Sequence, residues 1–135
     1  MDLQDAMKLS ASGMRAQGTR LRVIAENVAN SGSMAQAPGG EPYRRKLVSF
    51  GSVMDRELGL ERVRVASIFT DKGSFGRKFM PGHPAADEEG YVLTPNVNPL
   101  MEMADMREAQ RTYEANLRAI QTVRRMLTRT LELLK

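Results

Sequence analysis

His83 is the single histidine of the chain, and three acids follow it closely, Asp87, Glu88 and Glu89, in the stretch PGHPAADEEG. An imidazole beside carboxylates is the raw material of general acid–base catalysis or of a metal site. A lone His with no second His, no Cys and no placed nucleophile falls short of both. Three neighbouring acids in a Gly/Pro-rich segment are more often solvated turn residues. Glu41, Asp87, Glu88 and Glu89 also belong to the residue type that cleaves glycosidic bonds in pairs, but that chemistry depends on a through-space separation that sequence spacing does not give. The chain has no phosphate-cradling Gly loop and no Ser/His/Asp set. On this reading it has no catalytic residue, no metal and no cofactor.

Composition points the same way. At 135 residues the chain is one domain or one elongated unit. Aromatics make up 5%, with no Trp, which is thin for a compact enzyme, and ten Met supply adaptable filler for helix interfaces. The absence of Cys excludes disulfides and thiolate metal sites. Twenty basic residues against sixteen acids give +4 on a mixed background, a solvated surface more than a nucleic-acid footprint. Asp2, Asp5, Lys8, Arg15, Arg20 and Arg22 leave no apolar core for a secretory signal. No stretch approaches the ~18 apolar residues of a membrane span, so direct membrane insertion is not expected.

The elements that must position any site are two long helices. From Leu3 to Val28, apolar or neutral residues recur at Leu3, Met7, Ser10, Met14, Gln17, Leu21, Ile24 and Val28, a coiled-coil period. Small residues at Ala11, Gly18 and Ala25 flank this seam and permit close approach by another helix. Gly13 and Gly18 each weaken the isolated helix by ~1 kcal/mol relative to Ala. Asn30 and Gly32 read as stop signals. A second helix is predicted from Pro99 to Leu134, with Asn98 as N-cap and Glu102 in the first turn, where the dipole favours an acid. Its seam is Met103, Met106, Gln110, Tyr113, Leu117, Ile120, Arg124, Leu127, Leu131 and Leu134, interrupted by Gln110 and Arg124. A second stripe, Ala119, Val123, Met126, Thr130 and Leu133, implies at least two partner helices. These helices would span roughly 40 Å and 50 Å.

The middle has another texture. SGSMAQAPGGEP is a loop; YRRKLVSF and ERVRVASIF alternate at period two, as half-exposed strands do; DKGSFGRKFMPGHPAADEEG is turn-rich; and YVLT offers a last short strand. The predicted organisation is a helix over 1–30, a loop over 31–42, a β-rich insertion over 43–95 and a second helix over 96–135. The fold class is mainly α: an elongated antiparallel coiled coil of the two terminal helices, with the small β-rich insertion between them.

VIAENVANSGS resembles the Ala-x-Asn-(Ile/Val)-Ala-Asn-x-x-(Thr/Ser) pattern of bacterial flagellar axial proteins. PNVNPLMEMADMREAQRTYEAN is similar to their C-terminal pattern of Asn-Val-Asn, then Glu-Met, then Arg-x-Tyr-Glu-Ala-Asn. PYRRKLVSF and PGHPAADEEGYVLTPNVN resemble the proximal-rod branch of that rod and hook family more than its sister branches. The similarity runs along nearly the whole chain, with Ser33 standing where Thr is commoner.

This resemblance implies a structural protein whose terminal helices pair, stack on neighbouring copies and other rod subunits, and line a rod that crosses the periplasm. It also implies passage through the flagellar type III export apparatus without a cleaved signal, and contact with a basal-body adaptor. Carried over by position, the export and assembly pattern falls on Asn27, Val28, Ala29 and Asn30. The C-terminal pattern falls on Asn96, Asn98, Glu102, Met103, Met106, Tyr113, Glu114, Ala115 and Asn116. The helix–helix interface is expected at Met7, Met14, Leu21, Ile24, Leu117, Ile120, Val123, Met126, Leu127, Leu131, Leu133 and Leu134. Three alternatives stand beside this reading: a basic helical nucleic-acid-binding or regulatory protein, a peptidoglycan-active enzyme, and a sister rod subunit sharing the terminal patterns.

Overall fold

The computed structural model describes residues 2–134. Helix α1 (Leu3–Ala29) is followed by strands β1 (Lys46–Asp55), β2 (Leu60–Thr70), β3 (Gly76–Phe79) and β4 (Tyr91–Thr94), and by helix α2 (Pro99–Leu133). Strands β1 and β2 form one two-stranded sheet and β3 and β4 another. Two terminal helices with a small β insertion are therefore the architecture.

Both helices begin where local chemistry directs. At α1, the Asp2 N–H donates to Asp5 Oδ2, one half of a capping box, while the Leu3 N–H donates to Asp2 Oδ1, so two otherwise orphaned donors are occupied. The end of α1 is closed by side chains: Asn30 Nδ2 donates to the Glu26 carbonyl, and Ser31 Oγ to that of Val28. At α2, Asn98 Oδ1 accepts from Leu100 N–H at 3.1 Å, and its carbonyl receives the Glu102 N–H at 3.0 Å. Pro99, which has no N–H to lose, fills the first helical position.

Two strand expectations are corrected. The first strand starts at Lys46, not Tyr43, because Tyr43 and Arg45 spend their hydrogen bonds on loop and helix groups described below. The stretch expected as turns contains β3. This strand pairs antiparallel with β4, Arg77 opposite Leu93 and Phe79 opposite Tyr91. Four residues with one apolar side chain give no period to read, and pairing with β4 makes them a strand.

The chain forms two compact units. The first comprises Met1–Leu21, Val48–Ser67 and Arg107–Lys135; the second comprises Arg22–Leu47 and Ile68–Met106. In the first, small residues carry the packing: Ser12, Ala16 and Ala109 are buried, Ala109 completely. A Cβ on Gly13 would meet the Asn116 amide at 3.0 Å, and Arg20 pairs with Glu108 at 3.7 Å. In the second unit the core is Val23, Ile24 and Val92, joined by the buried polar Asn27 and Glu102. Gly90 sits at φ +86° in the turn before β4, against Phe79 and Pro81, a backbone region that side chains resist.

Candidate functional site

The most connected group of side chains lies in the second unit, around Asn27. Its amide uses all four hydrogen-bonding positions. Nδ2 donates to the Lys46 carbonyl at 2.8 Å and to Glu102 Oε2 at 3.1 Å. Oδ1 accepts from the Lys46 N–H at 2.9 Å and from the Tyr43 hydroxyl at 2.8 Å. The amide therefore acts as an extra peptide group, pairing with both backbone groups of Lys46 as a neighbouring strand would. Only Asn or Gln carries a planar amide with two N–H donors beside a carbonyl acceptor of two lone pairs, and Asn27 is 1% exposed, so any unmade bond here would be costly.

Glu102 completes the cluster. It is 1% exposed and is held by the Arg45 guanidinium as well as by Asn27. Arg45 also reaches Asp71 at 3.6 Å and Asp105 at 3.5 Å, and Lys46 pairs with Glu26. A buried carboxylate persists when it is paired and hydrogen-bonded, and breaking such a pair costs far more than the pair itself contributes. Asn96 extends the network: Oδ1 accepts the Arg45 N–H at 2.7 Å, and Nδ2 donates to the Asp71 carbonyl at 3.1 Å. The Tyr43 hydroxyl is pushed above its ordinary range, first by burial and then by the charges of Glu26 and Glu102.

The expected pattern residues divide accordingly. Asn27, Asn96 and Glu102 meet in this one cluster, while Asn30 and Asn98 serve the helix ends. Val28, Met106, Tyr113 and Asn116 are half-buried, and Ala29, Met103, Glu114 and Ala115 are exposed. Of the interface positions, Ile24 is buried; Met7, Met14, Leu21, Ile120, Val123 and Leu127 are half-buried; Leu117, Met126, Leu131, Leu133 and Leu134 are exposed. On α2 the most covered residues are Glu102 and Ala109, each one step before the seam positions Met103 and Gln110, which are exposed. Arg124 is exposed as well. Sequence reasoning missed Tyr43, Arg45 and Lys46, whose roles run partly through backbone groups and leave no motif. The one available signal was Arg45 and Lys46 as cations with Glu102 as an acid at a helix start.

The turn around His83 is built from its own hydrogen bonds. His83 Nδ1 accepts the Ala85 N–H at 3.0 Å. The Asp87 carboxylate accepts the Tyr91 N–H at 2.8 Å and the Glu89 N–H at 3.0 Å, and meets Arg77 at 3.2 Å. The Tyr91 N–H, aided by that of Glu89 and by Arg77, holds the Asp87 carboxyl below its ordinary range. Among the described residues no group of three His or acidic side chains is placed to hold a metal ion.

Comparison with known proteins gives the class first. A family model described as flagellar basal body rod FlgEFG protein C-terminal matches residues 88–133. The similarity to individual proteins is wider. The flagellar basal-body rod protein FlgC of Agrobacterium fabrum is 50% identical over 98% of this chain and 96% of its own length. Its Yersinia enterocolitica counterpart is 38% identical over 98% of each, and that of Bacillus subtilis 37% identical over 95% of each. The chain belongs to the FlgC family of flagellar basal-body rod proteins. Its relatives are structural rod proteins, not enzymes, and its place is the flagellar basal body, among other rod components. No helix among the described residues is long and apolar enough to cross a membrane.

Proposed function

We propose that this chain is a proximal-rod subunit that assembles through its two terminal helices, paired as an antiparallel coiled coil, into the tubular drive shaft of the flagellum. The observation that carries this reading is at the end of α2. Met126, Leu131, Leu133 and Leu134 are 51%, 63%, 87% and 79% exposed. Large apolar side chains repeated along one helix end mark an interaction surface. Contacts that do not close on themselves generate helical filaments.

In this reading the N-terminal helix packs on α2 of the same copy, while Met126 and Leu133 meet a neighbouring subunit. The subunit leaves the cytoplasm unfolded, through the flagellar export apparatus and without a cleaved signal, and then meets the basal-body adaptor and other rod proteins. Within the two patterns, Asn27, Asn96 and Glu102 serve assembly by holding the end of α1 to the start of α2, and Asn30 and Asn98 by closing those helix ends, not by chemistry. Nucleic acid has no part in it, and binding to DNA that fell steeply with salt would count against the reading. The direct test is Met126→Glu with Leu133→Glu. Wild-type export of the variant with loss of rods and motility is the expected outcome, and intact rods would overturn the proposal.

A further inference from the structure

The first compact unit contains a groove of about 420 Å³ that the terminal-helix reading leaves unused. Its apolar lining is Ala16 from α1 with Val53, Val63 and Val65 from the strands. Val53 and Val63 are 40% and 43% exposed. Arg15 and Arg64 stand on the rim, both exposed and neither in an ion pair among the described residues. The third rim arginine, Arg62, is already neutralised by Asp55 at 2.7 Å. The groove therefore asks for an apolar side chain with an acid beside it.

The second compact unit presents that combination. Phe79, the last residue of β3, is 61% exposed and rests edge-on against Tyr91, ring centroids 5.3 Å apart. The β3–β4 connection carries Glu88 and Glu89, both exposed, and Glu88 has no ion-pair partner among the described residues. Arg77 of the same hairpin pairs with Asp87 at 3.2 Å and more loosely with the exposed Glu89 at 3.8 Å, and lies over the Tyr91 ring, which leaves Glu88 as the unpaired acid and Lys78 as the remaining cation of the hairpin. Exposed aromatics surrounded by a polar rim are the usual anchors of protein interfaces.

We infer that the β3–β4 hairpin of one copy docks into the groove of a second copy, Phe79 entering among the valines and Glu88 and Glu89 facing Arg15 and Arg64. Knob and groove lie on different parts of one sequence, so the contact is head-to-tail and repeats from copy to copy. The inference rests on the rod-assembly reading and names which surfaces adjoining copies share.

The chain has no Cys, which makes covalent trapping clean. Two forms, Arg64→Cys and Glu88→Cys, carrying tags of different size, are expressed together in cells lacking the wild-type chain and oxidised mildly. The expected result is motile cells and a mixed dimer at least fivefold above the dimer from either form alone. Motile cells without a mixed dimer would overturn the hairpin–groove contact and leave the rod reading intact. Charge exchange gives a second readout should a cysteine form stop motility. Arg64→Glu or Glu88→Lys alone should lower swarming severalfold, and the two together in one chain should restore at least half. Equal loss in the combined variant overturns the contact. Normal rods in cells lacking the chain altogether would instead sink the rod reading itself.

Discussion

Two far-apart asparagines and one acid do most of the joining in the second unit, and each does so by matching hydrogen bonds one for one. Asn27→Ala strands the Lys46 N–H and carbonyl and removes a partner of Glu102, and a loss of about 3 kcal/mol is expected from unpaired buried groups. Asn27→Asp keeps the shape but replaces both donors with a charge facing Glu102, and should melt no higher than the Ala form at neutral pH. A near-wild-type melt for the Asp form would show that the donors are idle. Glu102→Gln leaves Arg45 without its buried acid and is expected to cost about 3 kcal/mol or more in chemical denaturation. Tyr43 adds an alkaline limit. Its hydroxyl ionises at higher pH in the folded chain than at the unfolded value of 10.0, so this contribution is whole below pH 10 and is lost as pH rises through the folded value. Tyr43→Phe should flatten the fall in melting temperature across that window, and an unchanged fall would assign it to other groups.

At the scale of elements, the two glycines of α1 separate propensity from packing. A Cβ at Gly18 meets nothing within 4 Å, so Gly18→Ala is expected to stabilise the isolated chain by about 1 kcal/mol. Gly13→Ala forces the Asn116 amide aside and should gain less or lose, and equal gains at both sites would show that the Asn116 contact does not constrain α1. Asn98→Ala should cost about 1 kcal/mol through the lost cap, read in a thermal melt followed by helical circular dichroism. These local devices were legible in the sequence because a cap, a Pro and an apolar period act within a few residues. The helix limits followed from them to within a residue or two. Strand β3 was not legible, because Gly76–Phe79 becomes a strand only through β4, fifteen or so residues on. Nor was the covered line of α2. Hydrophobicity ranks Met103 above Glu102 and Leu117 above Asn116, whereas burial follows Arg45 and Asn27 in the first case and the small Gly13 in the second. The Asn27 cluster was half visible: Asn27, Asn96 and Glu102 were singled out, but not Tyr43, Arg45 and Lys46, nor that Asn27 bonds Glu102 directly while Asn96 reaches it through Arg45.

For the molecule as a whole, exposed apolar and charged surfaces separate assembly from folding. Met126→Glu with Leu133→Glu removes two exposed groups, so the melt of the isolated chain should stay within about 0.5 kcal/mol of wild type while rods are lost. A large drop in stability would mean those side chains hold the subunit together rather than the subunit to its neighbours. The Asn27–Glu102 bond has a consequence of another kind, because its partners are 75 residues apart. Closing a loop of that length costs on the order of 4 kcal/mol of chain entropy before any bond is made. The β3–β4 hairpin needs only a short closure and can form within microseconds. The bond between the chain ends has to wait until more than half the polypeptide is available at once. Timing is therefore written into this contact: a chain emerging end-first cannot lock α1 until the start of α2 has followed it out.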